Sequence, residues 1–486
     1  MQYCQTLNEG MTIQKRSKEA PPCLFTRVHD VPAVPRQRQF RMMQLLLGVM
    51  FLCLLDVQGM QVAAGGSPGQ SAPSAGTSPQ AVSPHPPPKL TVWTHEHVNS
   101  PEFEALRESA ARFNVSQRHY RVELQSSLYR QYNAWLLSAA LTGTLPCLFE
   151  FDGPYLRELA WAGYLQPLDR FVPPALLEDL LKSIVTGGTY DGHLYSLGQY
   201  ESGLALWGNR RYLAKAGVRI PTLQAPWSLG EFEQVLSRLA VVPGVEHAID
   251  LGVDSASPEF YTYAYAPVLQ GFGGDLIDRR PGGMAQQTLD GHESVLALDH
   301  LQRWFGRGWA GAGLIRTDSF ISQKAALAWN GNWAYADYRR ALGKDLVLLP
   351  LPDLGHGIKT GVGSWVWGIS STCSNPAAAW TFMQFLLTPS EIRRMTNVNG
   401  TMPARRLMVE HSRVYGPDGP LRLFVEQLDK GLAVPRPATP AYSTITLSVS
   451  QAVAAIIRGD DVQTQLTRAA DRIDRDIARH RDYAHP

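Results

Sequence analysis

The sequence predicts an α/β protein, and three observations support this fold class. Short apolar runs alternate with helical patterns over residues 90–162, and a similar alternation resumes after residue 225. Alternating strands and helices are typical of a doubly wound, parallel sheet with helices on both faces. The chain has 486 residues, more than one domain usually holds, so we expect more than one such unit.

In the first part of the chain the apolar runs mark strands and the periodic segments between them mark helices. The predicted strands are 90–94, 122–124 and 148–151, and the predicted helices are 101–114, 129–141 and 154–162. Ligands of such sheets bind beyond the carboxyl ends of the strands. That position is occupied by Glu96, by residues 127–130 and by Asp152.

A polar and aromatic stretch, residues 189–218, follows. A turn at 190–192 and two short extended runs, 193–198 and 204–207, precede a helix over 210–216 that Gly217 ends. Further on, Ser228 and Glu231 form a capping box at the start of another helix.

The rest of the chain continues the alternation. We expect a strand-to-helix turn over 325–340, a crossing between domains at 347–350, and a glycine-rich loop that enters a strand over 361–370. A helix begins near residue 375, and the C-terminus is a helix pair, 446–457 and 462–478.

The N-terminal region, residues 1–64, is interpreted as an extension with a signal peptide. The apolar run Leu45–Leu55 is too short to span a bilayer and follows three arginines, and Val62–Ala64 suits cleavage before the next residue. The residues before Cys53 make a poor lipid-attachment motif, so we favour secretion to the periplasm over a lipid anchor. Residues 65–88 are a Gly/Ser/Pro-rich, disordered linker.

Composition limits the classes of function. The formal charge of +2 and 18% charged residues give no basic surface for nucleic acid. His95-Glu96-His97 lacks a third ligand, so we interpret it as a solvated loop end and expect no metal or other cofactor. Outside the extension two cysteines remain, Cys147 and Cys373. A bridge between them is open in an oxidising compartment, but we favour two buried, unpaired thiols.

Residues 189–218 resemble the first hinge crossing of bacterial extracellular solute-binding proteins, the sugar-binding subunits of ABC importers. The family pattern there is filled by Tyr190, Asp191, Gly192, Tyr195, Leu197, Asn209, Ala216 and Gly217. Segments 140–146, 159–169, 227–232, 375–385, 399–405 and 436–442 resemble other motifs of the family, in the family's order. The resemblance covers about Leu90 to Ile477.

The resemblance implies a two-lobed periplasmic-binding-protein fold of type II, each lobe a sheet flanked by helices, with a hinge between the lobes. We assign residues 89–200 and 350–396 to the first lobe, and 205–349 and 400–486 to the second. It also implies a monomer that binds an oligosaccharide or disaccharide and delivers it to membrane permease subunits. Phe151-Asp152, Glu201, the turn 332–335 and Gly363–Trp365 resemble binders of maltose and trehalose most.

A pyranose has two apolar faces and a rim of hydroxyls, so it is bound by flat aromatic rings and by carboxylates or amides. The candidate contacts, chosen on this chemistry and on family position, are Glu96, Tyr129, Asp152, Tyr200, Glu201, Tyr263, Asn332, Trp333, Trp365, Arg405 and Tyr442. Trp333 and Trp365 fall on opposite lobes. We interpret Trp93, Trp135 and Trp380 as core residues.

Two other functions use the same residues. A sensory binding protein that docks on a chemoreceptor or kinase has the same fold. A glycoside hydrolase would use Asp152 and Glu201 as its carboxylate pair, held ~5 Å or ~6.5–9.5 Å apart. The sequence has no nucleophile elbow, phosphate-binding loop or dinucleotide fingerprint, so we expect no enzyme and no catalytic residue.

Overall fold

The computed structural model describes residues 87–126, 132–252, 258–280, 282–311 and 319–483. The predicted signal peptide, Cys53 and, apart from residues 87 and 88, the predicted linker lie outside the described residues. Tyr129 also lies outside them.

Half of the sixteen α-helices of the described part begin at a side-chain cap or a proline. Ser100, Asn209, Ser228, Asn375 and Asp461 each accept a hydrogen bond from a backbone N–H of the first turn. The helices are α1 Pro101–Ser116, α2 Tyr132–Thr142, α3 Leu156–Trp161, α4 Pro174–Asp179, α5 Lys182–Gly187, α6 Arg210–Lys215, α7 Leu229–Leu239, α8 Pro258–Gly271, α9 His292–Gly306, α10 Tyr335–Leu342, α11 Pro376–Leu386, α12 Pro389–Asn399, α13 Arg406–Glu410, α14 Arg422–Asp429, α15 Tyr442–Ile457 and α16 Val462–Arg479. Within the described ranges, no helix combines the length and apolarity needed to cross a membrane.

Several strands of the described part, near the middle of the chain, are only two residues long. They are β1 Lys89–Thr94, β2 Arg121–Ser126, β3 Leu148–Asp152, β4 Thr189–Tyr190, β5 His193–Leu194, β6 Ser196–Leu197, β7 Tyr200–Glu201, β8 Leu204–Asn209, β9 His247–Asp250, β10 Ala325–Gly331, β11 Leu346–Leu349, β12 Thr360–Val362, β13 Trp365–Ile369, β14 Met402–Pro403 and β15 Ala433–Pro435. The α/β class and the two-lobed architecture predicted from the sequence are confirmed.

The first lobe is built on a five-stranded sheet of order β2-β1-β3-β13-β6. β1 pairs with β2 and β3 in parallel, whereas β13 is antiparallel to β3 and to β6. The prediction of an all-parallel sheet is therefore wrong for its later half. The physical reason is that β13 returns from the other lobe and enters the sheet at the cleft edge, where β3 ends.

The second lobe contains a four-stranded sheet of order β11-β8-β10-β9. β8 is antiparallel to β10 and β11, and β9 is parallel to β10. Residues 347–350, predicted as a crossing, contribute instead to β11 at the edge of this sheet. An all-apolar run is expected both in a crossing between lobes and in a strand of the sheet, so the sequence pattern did not distinguish the two.

The core of the second lobe packs α7, α8, α9, α15 and α16 around this sheet. Trp227, Phe232 and Trp304 are fully buried in it. Burial of each such side chain contributes about 1.5–3 kcal/mol of hydrophobic free energy. Leu351, Leu354 and Ile358 belong to the same core, so the segment assigned to the first lobe from residue 350 begins too early.

A further core lies beside both sheets. It contains Val92 and Trp367 of the first sheet together with Trp207 of the second, and Met402 and Phe424 complete it. The segment around α13 and α14, assigned to the second lobe, thus packs against both. Among the tryptophans interpreted as core, Trp93 and Trp380 are buried; Trp135, stacked on Trp93 with ring centroids 3.7 Å apart, is half-buried.

A disulfide joins Cys147 to Cys373, with 4.5 Å between their Cα atoms. The favoured interpretation of two unpaired thiols is wrong. The cysteines are 226 positions apart in sequence, and they meet because Cys147 precedes β3 while Cys373 follows its antiparallel neighbour β13. Sheet register brings them together, and the spacing alone does not show this.

The chain passes between the sheets at 201–204 and at 362–365, and Glu201 joins these two crossings. Its Oε1 accepts hydrogen bonds from the backbone N–H groups of Ser202, at 3.0 Å, and Gly363, at 3.1 Å. Its backbone pairs with Met402 in β14, and its carbonyl accepts from Nδ2 of Asn332 at 3.2 Å. The carboxylate therefore satisfies backbone donors that burial would otherwise leave without a partner.

Removing the disulfide should destabilise the protein. We expect the double substitution Cys147→Ala and Cys373→Ala to lower the free energy of unfolding by about 2–5 kcal/mol, because the bridge closes a long loop in the unfolded chain. Urea denaturation measures this. Reductant should weaken the parent protein to the level of the variant and leave the variant unchanged; a parent protein insensitive to reductant would contradict the prediction.

Glu201 should make stability depend on pH. Burial raises the pKa of Glu201 to about 7, above its ordinary value of 4.5. Because the folded chain holds this proton more tightly than the unfolded chain, the free energy of unfolding falls as pH rises from about 4.5 through 7. The difference in free energy of unfolding between Glu201→Gln and wild type should therefore change by about 2–3 kcal/mol in favour of the variant between pH 4.5 and pH 8.

Urea denaturation at several pH values checks this expectation. Glu246→Gln is the control, because the Glu246 side chain is 58% exposed and pairs only with Lys324 in the described part. A difference between Glu201→Gln and wild type that stays constant across this pH range would show that the buried carboxylate does not titrate there.

Candidate functional site

A cavity of about 500 Å³ lies between the two lobes. The first lobe contributes Asp152, at the end of β3, and Trp365, at the start of β13. The second contributes Tyr263 from α8 and Trp333 from the turn after β10. Volumes of ~300–1,000 Å³ are typical of small-molecule sites, and the position at strand ends is the one that α/β sheets use.

Six of the eleven candidate residues line this cavity. They are Glu96, Asp152, Tyr200, Tyr263, Trp333 and Trp365. Trp333 is the most exposed of the aromatic rings, at 36%, whereas Tyr200 and Tyr263 are each 6% exposed. Two criteria, position in the family pattern and location at strand ends, therefore selected six residues that lie around one cavity.

Four other candidates do not line this cavity. Glu201 and Asn332 hold the crossing described above with their side chains. Arg405 forms an ion pair with Asp179 of α4, and Tyr442 is fully buried with its hydroxyl on Glu259. Each was predicted for its hydrogen-bonding groups, and partners within the protein occupy most of these groups, although Oδ1 of Asn332 has none among the described residues.

The floor of the cavity is an ion network centred on Arg436. Its two terminal nitrogens bind both carboxylate oxygens of Asp152, at 3.0 and 3.1 Å. Nη1 also contacts Glu259, at the start of α8 in the second lobe. One guanidinium thus connects carboxylates of the two lobes. Gly363 allows its approach: its φ is +119°, and an added Cβ would lie 3.2 Å from Nη2 of Arg436.

Burial and charge set the protonation of this network. Burial raises the pKa of Glu259 to about 7, Arg436 opposes that rise, and Asp152 adds to it. The pKa of Arg436 is raised far above its ordinary value: burial lowers it, but Asp152 and Glu259 outweigh burial. Arg436 therefore stays charged. Each carboxylate oxygen of Asp152 accepts one hydrogen bond from Arg436, which leaves a lone pair on each oxygen for a ligand.

His95 differs from its interpretation as a solvated loop end. It is 4% exposed, and its ring nitrogens lie 2.7 Å from Oε2 of Glu150 and 3.1 Å from Oε1 of Glu96. Burial lowers its pKa, but the two carboxylates outweigh that effect and raise it to about 10. His95 is a buried cation. Among the described residues no cluster of metal ligands occurs.

The aromatic rings of the cavity fall into two pairs. Trp365 stacks on His95, with ring centroids 3.6 Å apart and planes 5° apart. Tyr263 lies 5.8 Å from Trp333, and the guanidinium of Arg436 sits 4.8 Å above the Tyr263 ring. Flat apolar surface is thus present on both lobes.

Four residues that line the cavity each have one buried polar atom with no hydrogen-bond partner among the described residues. These atoms are Oδ1 of Asn133, Oε2 of Glu259, the hydroxyl of Tyr263 and Nε of Arg436. Two accept, one donates, and the hydroxyl does both. Such atoms cost free energy unless they gain a partner.

Sequence reasoning missed His95, Glu259 and Arg436. Arg436 lay in a motif that the resemblance had matched, so its position was a usable signal. No signal in the sequence pointed to Glu259, because this residue becomes part of the site only when α8 packs beside the first lobe. His95 was interpreted from its neighbours in sequence, whereas its charge depends on Glu150, which is 55 positions away in sequence.

Comparison with known proteins finds relatives that match part of the chain. An uncharacterized lipoprotein from the oleD 5′ region of Streptomyces antibioticus is 24% identical over 310 residues, which span 62% of this chain and 67% of that protein. The maltotriose-binding protein of Pyrococcus abyssi is 22% identical over 262 residues, 51% of this chain and 52% of that protein. The chain thus spans about half the length of the latter.

Solved structures show the same fold. The GacH receptor of Streptomyces glaucescens, solved unliganded and with acarbose, has a TM-score of 0.69 and 22% identity, covering 82% of this chain and 100% of that one. The maltotriose-binding protein of Thermus thermophilus has a TM-score of 0.65 and 21% identity, covering 80% and 100%.

The family model described as bacterial extracellular solute-binding protein matches residues 108–414, more than half of the chain. The matched residues include the sheet of the second lobe, every strand of the first sheet except β1, and most of the cavity wall. Together with the two-lobed fold, this match shows that the chain belongs to the family of bacterial extracellular solute-binding proteins.

Proposed function

We propose that this protein is the substrate-binding subunit of an ABC sugar importer. It binds an α-linked glucose disaccharide of the maltose or trehalose class in the cavity between the lobes and delivers it to permease subunits. The sugar is bound and released unchanged, and the binding protein acts as a monomer.

The observation that carries this proposal is one cavity lined both by polar side chains and by aromatic rings of the two lobes. Asn133, Glu259, Tyr263 and Arg436 together offer both donors and acceptors. A sugar hydroxyl donates one hydrogen bond and accepts others, so a polyol suits this mixture without bringing a charge. The hydrogen bonds to Glu259 and Arg436 involve charged groups and are the stronger ones.

The aromatic rings supply the other half of sugar recognition. Trp365 belongs to the first lobe and Trp333 to the second, so a ring that stacks on both is held between the lobes. Maltotriose is bound by the Thermus thermophilus protein, and cycloalternan by a substrate-binding protein of Listeria monocytogenes with a TM-score of 0.68 and 20% identity, covering 81% of this chain and 99% of that one. These ligands favour a glucoside for this cavity.

A location outside the cytoplasm is part of the proposal. The Cys147–Cys373 disulfide supports it, because such bonds persist in oxidising compartments. Secretion through a signal peptide to the periplasm remains our inference from the sequence, and the lipoprotein among the relatives makes the anchored form the alternative.

A panel of sugars tests the ligand. Maltose or trehalose at a hundredfold excess over Kd should stabilise the native state by about 2.7 kcal/mol. In a chain of this size that is a rise of a few degrees in melting temperature. Thermal shift with maltose, trehalose, mannobiose, lactose and sucrose measures it.

The same incubations separate binding from catalysis. Release of free glucose from maltose would favour a hydrolase and contradict the proposal. A shift with mannobiose alone would reject the α-glucoside and retain the sugar-binding function. A shift with none of the panel would reject both.

Substituting the cavity tryptophans should weaken sugar binding. Trp333→Ala and Trp365→Ala should each raise Kd at least fivefold, about 1 kcal/mol or more, because aromatic anchors in a desolvated pocket carry a large share of binding energy. Each should also reduce closure by saturating sugar, since a ligand drives closure only through contacts that it gains in the closed state. Calorimetry and small-angle scattering measure the two effects.

Trp309→Ala is the matched control. Trp309 is half-buried against the core of the second lobe and does not line the cavity. Its loss should lower stability and leave Kd unchanged in the folded protein. Equal affinity of the wild type and both cavity variants would place the site elsewhere.

A further inference from the structure

The segment that leads from β3 into α3 contacts the second lobe at every third residue. A short turn of 3₁₀ helix, Gly153–Tyr155, joins the strand to the helix, so residues three apart along this segment share one face. The four contacts, in chain order, are Asp152 with Arg436, Tyr155 with Tyr442, Glu158 with Ser443, and Trp161 with Tyr483. Together they form the interlobe row. Asp152 and Tyr155 line the cavity, whereas Glu158 and Trp161 do not.

The inner part of the interlobe row is buried in the manner of a protein core. Tyr155 is 6% exposed and Tyr442 is fully buried, and their rings meet edge-on with centroids 5.3 Å apart. Tyr442 begins α15 of the second lobe, yet it packs in one cluster with Phe151 and Leu156 of the first lobe. Separation of the lobes at this point would expose these side chains to water, which the hydrophobic effect opposes.

The outer part of the row is held by hydrogen bonds and by a further pair of rings. Oε2 of Glu158 accepts from the backbone N–H of Ser443 at 3.3 Å, and Oε1 accepts from its hydroxyl at 3.0 Å. Ser443 is the second residue of α15, so its N–H has no acceptor within its own helix. Beyond it, the Trp161 ring meets Tyr483 edge-on, with centroids 4.8 Å apart. The first lobe thus completes the hydrogen bonding of a helix of the second lobe.

The row begins beside the second of the two crossings described above. Asp152 is the strand partner of Trp365, where that crossing enters the first lobe. Arg436 follows Pro435, which is the strand partner of Val362 at the other end of the same crossing. Points near a hinge move least when two bodies rotate about it. Rotation about this crossing therefore separates Asp152 from Arg436 less than it separates residues further away.

The lobes also face each other at α1 and α10. Glu102 of α1 lines the cavity, and α10 follows the turn that carries Trp333. Burial raises the pKa of Glu102, and the charges of Glu96 and of Asp337 in α10 add to that rise. Glu102 and Asp337 repel each other, so this pair of helices favours separation of the lobes, which the row opposes.

We propose that the interlobe row is a non-covalent hinge element, which stays formed when the lobes open and fixes the direction of opening. The lobes then part at α1 and α10, and Trp333 moves away from the first lobe. Asp152, Glu259 and Arg436 stay together as a preformed part of the site, which a ligand meets before closure. The inference rests on the proposed function for its probe, maltose, whereas the row itself does not depend on which ligand binds.

Loosening the outer part of the row tests the proposal, because Glu158 and Trp161 lie outside the cavity wall. We expect Glu158→Ala and Trp161→Ala each to increase the radius of gyration of the sugar-free protein in small-angle scattering, since the open state loses a restraint. With saturating maltose the radius should return to that of the wild type. The Kd for maltose should rise severalfold, because closure then restricts a wider open ensemble.

Arg157→Ala is the matched control. Arg157 lies next to Glu158 in α3, but its guanidinium donates to the carbonyls of Thr186 and Gly187 in the first lobe. Its loss should leave the radius of gyration and Kd unchanged. A sugar-free radius that is unchanged in both row variants would overturn the proposal. With an unchanged Kd the row would be ordinary packing, and with a raised Kd it would be a contact that forms only on closure.

Hydrogen exchange at the amide of Ser443 is a second readout. Because Glu158 is the acceptor of this N–H, its protection reports whether the row is formed. We expect equal protection with and without maltose, and loss of protection in Glu158→Ala. Protection that appears only with maltose would overturn the hinge role. If maltose does not bind, the proposed ligand is wrong, and the sugar-free radius and the exchange of Ser443 still decide the role of the row.

Discussion

The carboxylate of Glu201 accepts hydrogen bonds from backbone groups on two crossings that are 162 positions apart in sequence. Because the site is made from both lobes, its shape depends on how these crossings are held. The short pair of β7 with β14 and a single bridge between Gly203 and Val362 accompany them in the described part, so a buried side chain supplies what a longer ladder would otherwise provide. The cost is a carboxylate whose charged form burial disfavours.

The same balance of burial and charge recurs around the cavity. Arg436 holds two carboxylates of different lobes, and His95 lies between two carboxylates of one lobe. Buried ion pairs of this kind contribute little net stability, because desolvation offsets their attraction, but removing one partner is expensive. Their effect here is to hold the charged side chains around the cavity in a defined geometry.

Much of the architecture was accessible from sequence. Alternating apolar and periodic segments predicted β1, α1 and β3, and capping residues such as Ser228 and Asn375 marked helix starts closely. Parallel and antiparallel pairing was not accessible, because strand direction depends on where the chain re-enters a sheet. The lobe to which a segment belongs was not accessible either, as residue 350 and β11 show. An apolar run predicts that a segment is buried, but it does not predict in which lobe.

The part of the site that could be predicted consists of residues whose type and position favour exposure to the cavity. Aromatic residues at strand ends, Trp333 and Trp365, reach the cavity because large rings there have few other places to pack. Polar residues were less predictable, since a carboxylate such as Glu201 serves backbone N–H groups as readily as sugar hydroxyls. Which of the two it serves is decided by partners that only folding brings near.

The disulfide has a consequence for the mechanics and fragmentation of the chain. Cys147 and Cys373 enclose β8, β9, β10 and β11, the whole sheet of the second lobe. Tension applied between the first strand and the C-terminal helices would pass through the covalent bridge and bypass the enclosed loop. A protease that cuts once inside that loop would leave the two pieces covalently joined, so the nicked protein would remain a single molecule until it was reduced.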